Sequence, residues 1–310
     1  MPELPEVTTT VNALQKVLPK LKIISVWTDL AKNNQHIKHY KDTLKDAKFF
    51  EYFKKNTVGV KVINVERRAK NILVNLSNKH TIIMHLKMTG HLLYGKYIYD
   101  KKENKWSPDP KERKSLFESF NKYIHIVFSL SNKKQLVFCD ARKFGKVTLV
   151  KTVDLNKTIH LKNIGPEPLS KSFTLSNFKE RLMLKPSWKI KTVLVDQGVI
   201  AGIGNIYSDE MLWLAGIHPE SHPRKIPDDK IKKLYEAMIE VLTNGINFGG
   251  DSMSDYRNID GEKGDFQNHH NVYQKKNTKC MKSGCKGVII RKVINGRSAH
   301  FCDTHQKLFN

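Results

Sequence analysis

Three of the four cysteines in this chain gather near its C-terminal end, and their spacing is the first sign of chemistry. Cys280-x4-Cys285 and Cys302-x2-His305 form two close pairs joined by a hairpin-length segment. Two such pairs of thiolate and imidazole donors suit tetrahedral Zn²⁺, with each pair on one knuckle of a β-ribbon. A module this small lacks its own core, so a bound metal would supply its folding energy. The pattern predicts one structural zinc ion with no open coordination position. His300 is an alternative fourth ligand, although that choice would leave His305 without a role. Between the pairs, Asn295-Gly296 signals a tight hairpin turn and puts Arg297 at the tip. A guanidinium there suits a phosphate, although tip arginines are often simply solvated.

Residues 198–207, Gly-Val-Ile-Ala-Gly-Ile-Gly-Asn-Ile-Tyr, form a second constellation. Three glycines permit sharp turns and let backbone N–H groups approach a phosphate, and Asn205 can add a donor at the start of the next helix. This is not the dinucleotide-binding fingerprint, because the spacing differs and no strand precedes it. The third constellation is the N-terminus, Met-Pro-Glu-Leu-Pro-Glu-Val. Removal of Met1 would expose the secondary amine of Pro2, whose ordinary pKa near ~8 leaves a neutral nucleophilic fraction at physiological pH. Such an amine attacking an aldehydic sugar carbon gives a cationic iminium, an electron sink for elimination. Glu3 and Glu6 stand beside it as acid or base. The same residues also fit an ordinary helix N-terminus with proline and favourable acids.

The elements that must position these groups change character along the chain. Apolar residues Val7, Val11, Leu14 and Leu18 predict a helix over 6–18. Short β-rich runs follow at 22–27, 58–62, 71–76, 81–86, 123–130, 135–139 and 147–150, separated by polar turns that suggest a sandwich or barrel. The stretch 97–121 is charged and poor in apolar residues, and reads as a surface insertion. After residue 164 helices are predicted at 174–184, 189–196, 206–215 and 228–246. Residues 249–270 show little periodicity and read as a mobile loop. With 54 Lys and Arg against 30 Asp and Glu, the net charge is +24, which points to a polyanionic partner. No apolar run is long enough to span a membrane, and the acidic, proline-punctuated N-terminal segment does not read as a signal peptide. The cysteines do not form a disulfide framework, so a reducing, intracellular setting is expected; in a bacterium that means cytoplasm and nucleoid.

Seven segments together resemble the Fpg/Nei family of DNA glycosylases, and its Fpg branch most. They are MPELPEV, RRAKNILVNL, HLKMTGHL, DARKFGKV, IGPEPLS, the block DQGVIAGIGNIYSDEMLWLAGIHP and the C-terminal ribbon, in family order over nearly the whole chain. Leu4 stands where the Nei branch tends to carry glycine. The resemblance implies an α+β chain. Residues 1–150 would be a catalytic two-layer β-sandwich with an N-terminal helix, containing the insertion at 97–121. Residues 151–270 would be a helix-two-turn-helix DNA-binding domain with a lesion-capping loop at 249–270, and 271–310 a zinc finger.

The implied activity is excision of oxidised purines, chiefly 8-oxoguanine and formamidopyrimidines, from double-stranded DNA, followed by β,δ-elimination at the abasic site. Pro2 would be the Schiff-base nucleophile and Glu3 the proton donor, supported by Glu6 and Glu210. Lys70 would act near the scissile phosphate, and Arg297 would bind the phosphates flanking the lesion and take part in δ-elimination. Lys191 and Asn205 match phosphate contacts, and Tyr273 the loop-end tyrosine near them. Met88, Arg142 and Phe144 match the trio that fills the void left by a flipped nucleotide: Phe144 as wedge, Met88 as filler, Arg142 pairing with the orphaned cytosine. Tyr123 stands where many members have a DNA-contacting histidine. The chain departs from the family pattern in its x4 first pair, in His305 as fourth ligand, and at Ala141 and Lys143. A monomer is the family expectation. A Nei-like preference for oxidised pyrimidines and a non-catalytic zinc-containing DNA-binding protein are the alternatives.

Overall fold

Helical spacing of apolar residues near the start produces α1 (Leu4–Val17), which buries Val7, Val11 and Leu14. Glu3 is its N-cap residue, and Glu6 Oε2 accepts the Glu3 backbone N–H at 2.7 Å, one half of a reciprocal capping box. The structure, a computed structural model, describes residues 1–32, 41–253 and 255–310. Its backbone divides into two units, Met1–Lys162 with Phe248–Asp265, and Asn163–Asn247 with Phe266–Asn310.

The first unit is a β-sandwich of two antiparallel four-stranded sheets. One runs β1 (Ile23–Thr28), β8 (Ile124–Leu130), β9 (Gln135–Cys139), β5 (His91–Gly95). The other runs β10 (Lys146–Lys151), β4 (His80–His85), β3 (Asn71–Leu76), β2 (Val62–Arg68). Ile126 and Phe128 of β8 share one core with Ile72 and Val74 of β3 and with Val7 and Leu14 of α1. Each such side chain contributes about 1.5–3 kcal/mol by leaving water.

Several sequence readings change here. The run at 58–62 is not a strand: Gly59, at φ +81°, turns the chain, and the strand is β2. A bulge between Val62 and Asn64 then breaks the alternation within β2 itself. An unpredicted helix, α2 (Ala47–Thr57), is capped by Asp46, whose side chain accepts from Phe49 N, and it buries Phe53. The insertion at 97–121 is built rather than merely exposed. β6 (Tyr97–Asp100) pairs with β7 (Lys105–Pro108), and two 3₁₀ turns follow at Lys114–Phe117 and Ser119–Lys122. Tyr97 and Leu116 from it pack on Leu93, Val127, Val137 and Cys139, on the sheet face turned away from the main core. Those strands are apolar on both faces, so both faces need cover.

The segment Phe248–Asp265, read from sequence within the helical part, groups with the β-rich unit. Ile259 enters the sandwich core, and its carbonyl accepts the Tyr94 N–H at 2.8 Å.

The second unit holds α3 (Leu175–Leu182), α4 (Ile190–Leu194), α5 (Asn205–Ala215) and α6 (Asp228–Asn247). It also holds the ribbon of β11 (Ile289–Ile294) and β12 (Arg297–Cys302), turned at Asn295 and Gly296, both with positive φ. Trp213 of α5 packs against Cys280, Ile289 and Cys302 of the ribbon. Among the described residues, no helix is long and apolar enough to cross a membrane.

Candidate functional site

The N-terminal constellation lies where α1 begins. Pro2 is buried, and Glu3 and Glu6 are almost fully so. Glu6 uses both oxygens: Oε2 accepts Glu3 N at 2.7 Å and Oε1 accepts Asp251 N at 2.7 Å. A Cβ on Gly250, which sits at φ +88°, would stand 2.9 Å from Glu6 Cγ, so the close approach requires glycine. The geometry holds Glu3 by its backbone N–H and carbonyl, next to the buried Pro2.

Lys70 follows Ala69, whose φ of +53° makes the turn between β2 and β3, and it is 5% exposed. It belongs to a cationic cluster. Burial first, then Lys87, Lys70, His160 and Lys146, push the His85 imidazole down to about 3. Neutral His85 accepts the Lys87 N–H on Nδ1 at 3.0 Å. Lys45 is likewise lowered by burial, although Asp140 opposes the shift.

Met88, Arg142 and Phe144 lie on two turns bound together by one buried carboxylate that the sequence reading missed. Asp140 accepts from Thr89 Oγ1, from Gly145 N at 2.6 Å and from Arg142 N at 3.3 Å, and Thr89 Oγ1 also accepts Arg142 N at 3.1 Å. Met88 and Phe144 are left 41% and 49% exposed, and the Arg142 guanidinium lies 4.6 Å from the Phe144 ring centroid. All three are large, solvent-facing side chains on turns fixed from beneath. An aspartate two residues before a turn arginine was the available signal. Tyr123 is also exposed, with Lys122 over its ring, and its carbonyl accepts Asp140 N.

In the second unit, Asn205, Tyr273, Lys276, Arg291 and Arg297 line a cavity of about 550 Å³. Three cations and an amide around one open space make an anion site. Glu210 does not point into chemistry. Its four hydrogen bonds, at 2.8–3.0 Å, come from Asn271 N, Asn271 Nδ2, Val272 N and Tyr273 N, so it fixes the backbone that carries Tyr273. Lys191 differs most from its expected place on a phosphate. It is fully buried, and its Nζ donates to Asp209 Oδ1 at 2.6 Å, Asn205 O at 2.8 Å and Ser208 Oγ at 2.9 Å. Its amino group therefore holds the first turn of α5, from the Asn205 carbonyl to Asp209. Asp209, also missed in the sequence, takes the His300 N–H and Nδ1 on its other oxygen at 2.9 and 3.1 Å.

That bond draws His300 away from the cysteines. Cys280, Cys285, Cys302 and His305 place their donor atoms within 4.8 Å of one another. The chemistry of this set fits zinc. His305 Nε2 sits 3.0 Å from the Trp213 carbonyl, which fixes that nitrogen as the donor and leaves Nδ1 as a ligand, 3.3 Å from Cys280 Sγ. Gly287 N, Thr304 N and Trp213 Nε1 donate to Cys285, Cys302 and Cys280 sulfur at 3.3–3.4 Å, as thiolates require. Gly287 is needed for space, since a Cβ there would lie 2.6 Å from Cys302 Sγ.

Comparison with known proteins agrees with this arrangement. Residues 1–147 match the formamidopyrimidine-DNA glycosylase N-terminal domain, and residues 164–257 match the formamidopyrimidine-DNA glycosylase H2TH domain. The formamidopyrimidine-DNA glycosylase of Pelotomaculum thermopropionicum is 36% identical over 310 residues, covering 99% of this chain and 100% of the relative. That of Rickettsia bellii is 35% identical over 307 residues, with 99% and 100% covered. The Lactococcus lactis Fpg in complex with DNA containing an abasic site superposes with a TM-score of 0.80 at 31% identity, over 98% of this chain and 99% of that one. The wild-type Lactococcus lactis Fpg with N7-benzyl-Fapy-dG DNA gives 0.79 at 31%, over 99% and 100%. With two family models matched over residues 1–147 and 164–257, and relatives alike over 98–99% of its length, this chain belongs to the formamidopyrimidine-DNA glycosylase family.

Proposed function

We infer that this protein is a bifunctional DNA glycosylase and abasic-site lyase of base excision repair that removes oxidised purines from duplex DNA. The observation that carries the reading is the head of α1, where Glu6 locks the Glu3 amide and so fixes Pro2-Glu3 in a buried frame. With Met1 removed, the Pro2 nitrogen would attack the C1′ of a flipped nucleotide. An N–C1′ bond forms and the C1′–base bond breaks; the base leaves with the electron pair and takes up the proton that the attacking amine gives up. Glu3 protonates the sugar oxygen as the ring opens. The resulting iminium acidifies the neighbouring C2′ proton, whose loss expels the 3′ phosphate; a second elimination, with Lys70 and Arg297 at the phosphates, expels the 5′ phosphate.

Extrusion of the nucleotide leaves a void and an orphaned base, a role that suits the exposed Met88, Arg142 and Phe144. The cavity beside Asn205, Tyr273 and Arg297 would take backbone phosphates. Zinc held by Cys280, Cys285, Cys302 and His305 would complete a closed tetrahedral set and hold the ribbon that presents Arg297. As a member of this family the chain is read as a monomer that acts inside the cell.

Single-turnover release of 8-oxoguanine from a duplex opposite cytosine tests the reading. The chain should release the base, and Pro2→Gly and Glu3→Gln should lose that activity. Release of oxidised pyrimidines alone would move the assignment to the Nei-like branch, and binding without release of any base would leave a non-catalytic scaffold.

A further inference from the structure

Residues 251–253 and 255–261 are fastened at two places, one at the reactive end of α1 and one at the insertion. At α1, Asp251 N donates to Glu6 Oε1 at 2.7 Å, and Tyr256 Oη donates to the Glu6 carbonyl at 3.1 Å. Because Glu6 Oε2 holds the Glu3 amide, the loop and the Pro2-Glu3 segment share one carboxylate. At the insertion, Arg257 is 1% exposed; its Nε donates to Glu118 Oε2 at 2.9 Å and its guanidinium lies 4.9 Å from the Phe120 ring centroid. Another arm donates to the Tyr256 carbonyl at 2.8 Å.

Arg113 pairs with Asp260, and Ser115 Oγ donates to the Asp260 carbonyl at 2.6 Å. Gly261, at φ +81°, lies so close that a Cβ would meet Ser115 O at 2.7 Å. The clasp is rooted in β5: Asn121 Nδ2 donates to Ser115 O at 2.7 Å, and Asn121 Oδ1 lies 2.9 Å from His91 Nε2. Desolvating a guanidinium is costly, and a loop free to move could avoid that cost by leaving it in water. Its burial between a carboxylate, an aromatic face and a carbonyl instead specifies one loop position.

We propose that residues 109–122 brace the active-site end of α1, with Glu118 and Arg257 as positioning residues that hold the loop, the loop holding Glu6, and Glu6 holding the Glu3 amide. The proposal rests on the reading of Pro2 and Glu3 given above. The linkage is continuous: Glu118 to Arg257, Arg257 to Tyr256, Tyr256 to Glu6, Glu6 to Glu3. It gives the insertion a part in the reaction without contact with the substrate.

The test compares full-length Glu118→Gln, Arg257→Met, Arg257→Lys and the double variant Glu118→Gln/Arg257→Met, with Ile98→Ser on the exposed face of β6 as control. Single-turnover excision of 8-oxoguanine is measured per active molecule, counted by borohydride trapping, and duplex affinity is titrated in parallel. Since a misplacement of about 1 Å can cost ~100-fold, Glu118→Gln and Arg257→Met should slow excision about 10- to 100-fold at unchanged affinity. The double variant should be no slower than the worse single, Arg257→Lys should recover part of the rate, and Ile98→Ser should match the parent. Loss of active fraction at an unchanged rate per active molecule, or no loss at all, overturns the brace. A parent chain that neither excises nor traps overturns the reading of Pro2 and Glu3, and the brace with it.

Discussion

Replacing Lys191 by methionine separates two accounts of a residue that sequence reasoning put on a phosphate. In the structure the Lys191 and Asp209 side chains are both 0% exposed, and their Nζ to Oδ1 distance is 2.6 Å. Removing the cation leaves Asp209 buried with only the His300 bonds on its other oxygen, and leaves Ser208 Oγ and the Asn205 carbonyl short of a donor. Breaking a buried pair from one side costs about 3–5 kcal/mol. At roughly 2–4 °C per kcal/mol for a unit of this size, the midpoint of the unit's thermal transition should fall by about 10 °C. Methionine fills much of the lysine volume, so packing contributes little to that loss. The assay is thermal unfolding together with duplex affinity measured against salt concentration. The salt slope should stay at the parental value, because no phosphate contact is lost. A slope that falls by about 0.9, with unfolding unchanged, would place Lys191 on DNA and refute the argument.

Other outcomes follow from the same geometry. Chelation, or Cys285→Ser, should release one zinc ion per chain and abolish duplex binding as the β11–β12 ribbon loses its folding energy, read by metal assay and titration. Gly287→Ala should weaken metal retention in a competition titration, because the new methyl sits 2.6 Å from Cys302 Sγ. The His85 pKa is lowered from 6.5 to about 3, so below 6.5 the unfolded chain binds a proton that the folded chain refuses. Stability from this group is complete above pH 6.5 and is lost as pH falls towards 3. His85→Gln should flatten urea-derived stability across that window, and an unaltered slope would contradict the shift. Asp140→Ala should release the two turns that carry Met88, Arg142 and Phe144 and slow base excision more than it lowers affinity for undamaged duplex.

The motifs were legible where chemistry dictates spacing. Two Cys/His pairs read as one metal-binding cluster because tetrahedral coordination allows few arrangements, and their donor atoms do converge. The Asn295-Gly296 turn read correctly because positive φ selects those residues. α5 and α6 were visible from their period, and Gly216 ends α5 in the left-handed conformation. What stayed hidden was set by partners distant in sequence. Arg257 and Asp260 carry no periodicity, so the sequence hid that they pair with Glu118 and Arg113, over 130 residues away. Lys191 was matched by family resemblance to a phosphate contact, and its buried pairing with Asp209, 18 residues on, carried no sequence signal. The insertion read as solvated because its apolar residues are few, but Tyr97 and Leu116 are the ones that roof the sheet. A strand such as β8, apolar on both faces, was the clue that something had to cover it.

The central claim is that the N-terminal amine of Pro2 carries the reaction. Borohydride reduction of the chain mixed with a duplex bearing 8-oxoguanine opposite cytosine, followed by peptide mass mapping of the adduct, tests it most directly. The account predicts a covalent protein–DNA species with the sugar remnant on Pro2, no retained Met1, and loss of the adduct in Pro2→Gly. An adduct mapped to a lysine such as Lys70, or undiminished trapping by Pro2→Gly, would contradict it.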